Sequence, residues 1–233
     1  MRIGLFGYGK MGKMIEGLAI GRGHEITAKI DLVEQEIDFS TFDIAIDFST
    51  PSSAFKNITS CFEHGIPVIS GTTGWLENFD KAVSLCHQNN TGFIYASNFS
   101  LGVNIFFELN EKLAKMMAKL DQYKVSMEEI HHTQKLDAPS GTAISLAEDI
   151  LANTPYKDWK LDEGAENTIS IHSKREGNVP GTHSIDYASS VDSIEIKHTA
   201  HNREGFALGA VLAAEWLIGK KGVFTMKDVL NLS

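Results

Sequence analysis

The sequence predicts an α/β protein, with an N-terminal doubly wound parallel sheet followed by an α+β domain that contains a mixed sheet. Two observations predict this fold class. Apolar strand-like runs alternate with helical patterns through the first hundred residues. After Asn98 this rhythm gives way to longer helices and to alternating stretches separated by glycine, proline and aspartate. The first pattern is typical of parallel βα units, and the second of an antiparallel or mixed sheet.

The first part of the chain contains five predicted strands, at residues 2–6, 26–30, 42–48, 66–70 and 92–96. Helical spacing follows the first strand from Met11 to Gly21, and a second helix starts at Pro51 and runs through Phe62. Residues 75–88 form a third predicted helix. Short connections between repeated βα units predict a parallel sheet with helices on both faces.

The second part begins with a predicted helix at residues 103–120 and a strand at 123–131. A helix follows Pro139 and runs through Leu151, and three alternating stretches at 168–173, 182–188 and 193–199 predict further strands. A last helix covers residues 203–218. We therefore predict one domain at residues 1–102, a second at 103–202, and a C-terminal segment, 203–233, that packs back onto the first.

The composition excludes several classes of protein. The 233 residues are 42% hydrophobic and 22% charged, which allows a sizeable core and argues against disorder. A net charge of −9 disfavours nucleic acid as a partner. No apolar run is long enough for a membrane span and no leader is apparent, so we expect a cytoplasmic protein. Cys61 and Cys86 lack the spacing of a metal site or a disulfide framework.

A glycine turn, Gly7-Tyr8-Gly9-Lys10-Met11-Gly12, lies between the first strand and the first helix. In this context the motif predicts a Rossmann-type dinucleotide site, with the pyrophosphate at the helix N-terminus. The fingerprint requires an acid at the end of the second strand, and Asp31 stands there. Its carboxylate can accept hydrogen bonds from ribose hydroxyls and disfavours a 2′-phosphate. Lys29 is the nearest cation, so we expect NADH to be preferred and NADPH to be tolerated.

Two further loops lie at the carboxyl edge of the predicted sheet, where doubly wound folds bind ligands. One is Gly71-Thr72-Thr73-Gly74, and the other is Ala96-Ser97-Asn98-Phe99. The composition of each loop is equally compatible with cofactor binding and with an ordinary connector.

The segment from His131 to Thr142 carries the candidate reaction chemistry. Histidine exchanges protons near neutral pH, and Lys135 can hold a carboxylate or donate a proton. Backbone N–H groups of Gly141 and Thr142, at the start of a helix, offer a carboxylate site. Because side chains alternate along a strand, His131 and His132 should point apart, and we predict no metal site. A structural role for this segment stays open on these grounds, since Ser140 is also an ordinary helix N-cap.

These residues resemble the 4-hydroxy-tetrahydrodipicolinate reductase family, also called dihydrodipicolinate reductases, and the resemblance runs nearly end to end. Its most specific part is Glu129-Ile130-His131-His132-x-x-Lys135-x-Asp137-Ala138-Pro139-Ser140-Gly141-Thr142-Ala143. Further matches are the glycine turn, Ala45 to Ser49, Gly71 to Gly74, Ser97 to Asn104, Ile194 to Ala200 and Arg203 to Ala210.

The resemblance implies a dinucleotide-binding domain and a substrate and tetramerisation domain, in a homotetramer of the diaminopimelate and lysine pathway. It implies that a cyclic dicarboxylate loses water and is reduced by NADH or NADPH. His131 is then the general acid/base, and Lys135 a proton donor or carboxylate clamp. His132, Gly141 and Thr142 contact substrate carboxylates. The implied cofactor contacts are Gly7, Tyr8, Gly9, Lys10, Met11, Gly12, Asp31, Gly71, Thr72, Thr73, Ala96, Ser97, Asn98 and Phe99.

The chain departs from the family pattern in three places. Lys10 stands where many members have an arginine, and no arginine adjoins Asp31, so the resemblance does not imply a strong NADPH preference. The chain is short between Asp31 and Asp43, which predicts a trimmed surface loop. The stretch from Ser173 to Gly177 replaces a commoner Arg-Gly-Gly turn, and the resemblance assigns it no contacts.

Two alternatives compete with this interpretation. Another Rossmann-type dehydrogenase of aspartate-family metabolism would share the glycine turn, but the His-His-x-x-Lys segment favours the reductase. A non-catalytic dinucleotide-sensing protein would be expected to carry a DNA-binding or partner-binding module, and the sequence shows no basic helix or appended domain.

Overall fold

A computed structural model describes residues 1–31 and 36–232 of the chain. The predicted trimmed loop after Asp31 falls partly on residues 32–35, outside the described residues. The chain divides into two compact units, Met1–Leu101 with Glu204–Ser233, and Gly102–Arg203. None of the described helices is both long and apolar enough to serve as a transmembrane span.

The first unit is built on a parallel sheet. Among the described residues it has six strands in the order β11-β5-β4-β3-β1-β2, and every pairing is parallel. The strands are β1 (Arg2–Phe6), β2 (Glu25–Ile30), β3 (Ile44–Asp47), β4 (Val68–Ser70), β5 (Gly92–Tyr95) and β11 (Gly222–Phe224).

Helices cover both faces of this sheet, because neighbouring side chains along each strand point to opposite faces. The helices are α1 (Lys10–Gly21), α2 (Pro51–Glu63), α3 (Phe79–Gln88), α6 (Glu204–Leu217) and α7 (Met226–Leu230), with short 3₁₀ turns at Phe39–Thr41 and Leu76–Asn78. Ile44 and Ile46 pack with α1 and α6 in one core, whereas Ala45 packs with α2 and α3 in the other. The predicted doubly wound architecture is confirmed.

The second unit has a mixed sheet in the order β10-β9-β6-β8-β7 among its described residues. Strand β6 pairs with β8 in parallel and with β9 antiparallel. One core joins the sheet to two helices. The elements are α4 (Leu101–Met117), β6 (Lys124–His131), α5 (Gly141–Asn153), β7 (Asp158–Leu161), β8 (Thr168–Arg175), β9 (Gly181–Ala188) and β10 (Ser193–Ala200).

Three short elements, β7, β11 and α7, were not predicted. Strand β7 has only four residues, two of them charged, and β11 has three. Such segments carry too few residues to show a periodicity. The third strand is also shorter than predicted, because Phe42 lies before it and packs into the core with Phe6.

Candidate functional site

The glycine turn of the first unit is fixed by close backbone contacts. Gly7 has φ +89°, and a Cβ there would collide with the carbonyl oxygen of Phe48. A Cβ at Gly12 would collide with the carbonyl oxygen of Gly7. Gly9 differs, because a Cβ there would meet no described atom within 4 Å. Packing therefore requires glycine at Gly7 and Gly12, while Gly9 leaves space open in front of α1.

The N-terminus of α1 faces this open space with its own backbone donors. Gly9 is the N-cap residue and provides no side-chain cap, and the first turn contains no acidic residue. Lys10 is exposed, whereas Met11 packs partly against the core. Because the first N–H groups of a helix have no intrahelical acceptor, this end of α1 can receive an anion.

Asp31 directly follows β2, beside the glycine turn, and is exposed. Its Oδ1 accepts a hydrogen bond of 3.0 Å from the backbone N–H of Tyr8. Lys29 is turned to other partners: its Nζ lies 2.6 Å from Glu16 Oε1 and 3.0 Å from the Tyr8 hydroxyl. The Tyr8 hydroxyl in turn donates to Glu16. The cation nearest to Asp31 in sequence is thus already neutralised.

A cavity of about 260 Å³ opens at the carboxyl ends of β1, β2 and β3. Its lining includes the predicted Gly7, Gly9 and Asp31, and also residues that sequence reasoning did not select: Ile30, Phe48, Ser49, Thr50, Ser53 and Asn57. The hydroxyl-rich start of α2, directly after β3, was the available signal. The cavity, the uncapped helix end and the exposed carboxylate fit a dinucleotide.

The buried Asp47 ties the loops behind this cavity together. Its carboxylate accepts hydrogen bonds from the hydroxyls of Ser70 and Thr72, at 2.9 and 2.8 Å. Ser49 Oγ donates to it at 2.5 Å. Burial raises the pKa of Asp47, and these donors act in the opposite direction. The Thr72 hydroxyl also accepts the Ser49 N–H, so its side chain joins two loops, whereas Thr73 is exposed.

The remaining predicted cofactor residues occupy different environments. Gly71 abuts the Phe48 ring, which a Cβ would overlap. Ala96 is half-buried and Ser97 is exposed. Asn98 Oδ1 accepts the Ser100 N–H at 2.9 Å. The Phe99 side chain lies in the core, 5.8 Å from the Phe48 ring between centroids, so the part of Phe99 left to face a ligand is its backbone.

In the second unit, the register of three strands places a set of polar side chains together. Glu129 and His131 are two residues apart on β6 and share its buried face. Glu129 pairs with His183 on β9, and His131 pairs with Arg175 on β8. We call Glu129, His131, Arg175 and His183 the β6 polar cluster.

Glu129 is the centre of the β6 polar cluster and is fully buried. Its Oε1 accepts from Arg175 Nη2 at 3.1 Å and from Ser173 Oγ at 2.9 Å. Its Oε2 accepts the backbone N–H of Ser140 at 3.0 Å. The same oxygen lies 3.5 Å from His131 Nδ1 and 3.7 Å from His183 Nε2.

The charges of the β6 polar cluster follow from burial. Burial lowers the pKa of His131, and the nearby cations Lys135 and Arg175 lower it further, against the effect of Glu129. Burial also lowers the pKa of His183, to about 4. For Glu129 burial acts to raise the pKa, but hydrogen bonds from Ser140 and Ser173 bring it below its ordinary value. The cluster at neutral pH is an ionised Glu129–Arg175 pair beside neutral imidazoles.

Three members of the β6 polar cluster form a set of potential metal ligands that the sequence analysis did not consider. Ligand atoms of Glu129, His131 and His183 lie within 4.8 Å of one another, and a carboxylate with two imidazoles is a set that zinc can bind. Sequence reasoning considered only His131 with His132 and found no carboxylate to complete a site; the strand register instead brings Glu129 and His183 to His131. We assign no metal, because the Arg175 guanidinium already supplies the charge that balances Glu129.

The other predicted residues follow β6 on a loop that Arg175 supports. Arg175 Nη2 donates to the carbonyl oxygen of Asp137 at 2.5 Å, and its Nε donates to that of Lys135 at 3.3 Å. Lys135 Nζ lies 2.7 Å from Asp137 Oδ2. His132 is half-buried and lies just past the end of β6. No sequence pattern indicated the contribution of Arg175, because it depends on the register of β8 against β6.

The start of α5 adds backbone donors to this loop. Ser140 caps the helix by accepting the Ala143 N–H at 3.2 Å. Gly141 and Thr142 form the first turn and are exposed and half-buried respectively. Among the predicted residues, the structure thus brings His131, Lys135 and the α5 N-terminus together in the second unit, and Gly7, Gly9 and Asp31 together in the first.

The parallel sheet, the glycine turn and the acid at the end of β2 define a Rossmann-type protein. Two sequence profiles of a single family match the chain: "Dihydrodipicolinate reductase, N-terminus" over residues 23–99, and "Dihydrodipicolinate reductase, C-terminus" over residues 102–230. The chain therefore belongs to the dihydrodipicolinate reductase family.

Individual relatives agree with this membership. A protein of Christiangramia forsetii named 4-hydroxy-tetrahydrodipicolinate reductase is 60% identical, over 99% of this chain and 98% of its own length. A protein of the same name from Buchnera aphidicola is 34% identical, over 90% of this chain and 82% of its own. The dipicolinate-bound dihydrodipicolinate reductase from Paenisporosarcina sp. TG-14 shares the fold, with a TM-score of 0.78, 24% identity and 97% of each chain covered.

Proposed function

We propose that this protein reduces 4-hydroxy-tetrahydrodipicolinate to tetrahydrodipicolinate, with loss of water, in diaminopimelate and lysine biosynthesis. The observation that carries the proposal is the second-unit arrangement of a buried imidazole, a half-buried ammonium and a helix N-terminus along one short stretch of chain. These groups suit a substrate with two carboxylates that must receive a proton. The full-length relative with this name supports the same substrate.

The roles of the second-unit residues follow from their chemistry. His131 transfers the proton, and Lys135 holds a substrate carboxylate or donates a proton in its turn. His132 and the N–H groups of Gly141 and Thr142 hold carboxylate oxygens. In this structure Lys135 is paired with the exposed Asp137, so a substrate carboxylate takes the place of that partner. Gly7, Gly9 and Asp31 of the first unit would hold NAD(P)H, which would supply the hydride.

The test is oxidation of NADH in the presence of freshly prepared substrate. His131→Gln and Lys135→Ala are each expected to lower kcat by on the order of 100-fold or more, the usual effect of removing a general acid. His172→Gln is the matched control, because His172 is an exposed histidine on β8. The activity of this variant should equal that of the wild type. Wild-type turnover in both His131→Gln and Lys135→Ala would contradict the assignment.

We further propose that NADH is the preferred cofactor. Asp31 presents an exposed carboxylate where a ribose binds in such folds, and Lys29 is engaged by Glu16 and is not free for a 2′-phosphate. The expected result is a higher kcat/KM with NADH than with NADPH in wild type, and a lower NADH/NADPH ratio in Asp31→Ser. A large NADPH advantage in the wild-type protein would overturn this interpretation of Asp31.

The assembly we propose is a cytoplasmic homotetramer that pairs through the sheet of the second unit. In the described part of that unit, both helices of the core lie on one face of the sheet, and the other face carries polar side chains such as Glu128 and Asp186. Light scattering after gel filtration is expected to give about four times the 25.6 kDa chain mass. A mass of one chain would exclude the tetramer.

A further inference from the structure

Resting on the proposed function, we propose that Glu129 is a positioning residue: it fixes the His131 ring with Nδ1–H directed at Glu129, so that Nε2 is the atom that exchanges the proton. The two side chains share the buried face of β6, and the distance from His131 Nδ1 to Glu129 Oε2 is 3.5 Å. Nδ1 is itself buried and makes no hydrogen bond with the described residues, so the Glu129 carboxylate at 3.5 Å is the acceptor that an Nδ1–H would reach by a small movement.

The strand geometry makes this orientation persistent. Because residues two apart on a strand project from the same face, the backbone alone holds Glu129 beside His131. The carboxylate is held in turn by Ser173 and by the Ser140 N–H, at 2.9 and 3.0 Å. With Arg175 Nη2 as a third donor, at 3.1 Å, the buried carboxylate is held in place and offers His131 Nδ1 a fixed acceptor.

The other ring nitrogen of His131, Nε2, has a different environment. A Cβ at Gly181 would stand 3.1 Å from His131 Nε2, so the glycine leaves room at that atom. Unlike Nδ1, Nε2 is not among the buried nitrogens that lack a partner. The two nitrogens thus have separate tasks: Nδ1 faces the buried carboxylate of Glu129, and Nε2 is left for exchange.

Arg175 adds an opposite charge to the hydrogen bonds from Ser140 and Ser173 that keep the buried carboxylate ionised. Its guanidinium contacts Glu129 Oε1 and has a side chain only 20% exposed. An isolated buried carboxylate would take up a proton, whereas a paired and hydrogen-bonded one remains charged. The negative charge of Glu129 then favours the imidazolium form of His131. The charged or titratable groups that face His131 are Glu129 on β6, Arg175 on β8, His183 on β9, and Lys135 and Asp137 on the following loop.

A first experiment needs no substrate and no substitution of Glu129. In ¹⁵N-histidine NMR spectra of the wild-type protein, the signals of His131 are assigned by their loss in His131→Gln. Above its pKa, His131 is expected as the Nδ1–H tautomer with Nε2 unprotonated. Observation of the Nε2–H tautomer would overturn the proposal, whatever reaction the protein catalyses.

A second experiment compares pH profiles of kcat for the wild type, Glu129→Gln and Glu128→Gln. Loss of the Glu129 charge is expected to move the limb of the kcat profile that reports protonated His131 to lower pH by about one unit. On the alkaline side kcat should therefore fall by on the order of tenfold, while KM should change little. Glu128→Gln removes a charge from the adjacent residue, on the opposite face and paired with Lys174, and should leave the limb in place.

The outcomes of the two experiments separate the two hypotheses. A Glu129→Gln protein that is folded but shows an unmoved limb contradicts the positioning role. An equal shift in Glu128→Gln also contradicts it, since the effect would then be one of net charge. If the wild type shows no reductase activity, the proposed function fails, while the tautomer of His131 still decides whether Glu129 orients the ring.

Discussion

His183 shows at the scale of one residue how burial is converted into pH dependence. Its imidazole lies opposite Glu129 and is 5% exposed. Ser140 Oγ is 3.2 Å from its Nε2, while its Nδ1 has no hydrogen-bond partner among the described residues. Protonation would place a buried cation in this site beside His131, with His198 and Lys135 also opposing it. The folded protein therefore holds His183 neutral.

We predict that stability falls as pH drops through the window set by His183. Its pKa is about 4 in the folded protein and near 6.5 when unfolded. Between these values the unfolded chain binds more protons, so the stabilisation present above pH 6.5 is lost as pH falls towards 4. The loss is about 3 kcal/mol for a shift of this size. Urea denaturation at a series of pH values measures it.

The matched comparison for this prediction is His183→Gln, which removes the titrating group. Its free energy of unfolding should be lower at pH 7 but should vary less between pH 6.5 and 4 than that of the wild type. Glu215 also loses stabilisation in acid, because the pKa of its carboxyl is lowered to about 2 by Arg22, but that loss occurs below the ordinary pKa of a carboxyl. An unchanged slope in His183→Gln would contradict the assignment to His183.

At the scale of the element, the turn from β1 to α1 combines glycines of two kinds. Gly7 and Gly12 are required by backbone contacts, whereas Gly9 has extended backbone angles that other residues also adopt, with open space around its Cα. All three positions are glycine in the sequence, but Gly7 and Gly12 are needed for packing, whereas Gly9 leaves space for a ligand to approach.

This difference gives a prediction for two alanine variants. Gly9→Ala should change the free energy of unfolding by less than about 1 kcal/mol, because the new methyl group meets no described atom. It should weaken NADH binding by on the order of tenfold, since the methyl group enters the proposed pyrophosphate space. Gly12→Ala should instead destabilise the fold by about 1–3 kcal/mol through overpacking. Denaturation and NADH fluorescence titration measure both effects, and equal destabilisation by the two substitutions would contradict the distinction.

The elements also differ in how well they could be predicted from the sequence. Long periodic elements such as α4 and β6 were predicted to within a few residues, because their pattern extends over several turns or alternations. The pairing of Glu129 with His183 was not predictable, since it depends on the register of β6 against β9. The Glu129-x-His131 spacing, by contrast, is visible in the sequence, because residues two apart on a strand share a face.

At the scale of the whole molecule, the first unit is completed by the end of the chain. Helix α6 contributes Ala207, Ala210 and Val211 to the core that also contains Ile3 and Ile15. Strand β11 adds an edge to the sheet by pairing with β5. The sequence showed that the last helix was apolar enough to be buried, but it gave no sign of β11.

We predict that residues 1–101 do not fold alone, whereas the same residues joined by a short linker to 204–233 do. The join is feasible because the chain leaves and re-enters this unit at adjacent positions: a Cβ at Gly205 would lie 3.7 Å from Ser100 Oγ. Circular dichroism and thermal unfolding are expected to show a cooperative transition for the joined chain only. A cooperative transition in 1–101 would show that α6 is dispensable for the core.

The return of α6 and β11 to the first unit also sets an order of events during synthesis. The second unit is one continuous segment, Gly102–Arg203, and can be completed as soon as it has left the ribosome. Synthesis of the first unit begins earlier, but its fold cannot be completed until β11, which ends at Phe224, has been made. At translation rates of roughly 5–20 residues per second, the face of its sheet that α6 covers stays open to solvent for several seconds or longer. A nascent chain of this protein therefore passes through a stage in which residues 1–101 have been synthesised but not yet covered by α6. Chaperone binding and aggregation compete at that stage.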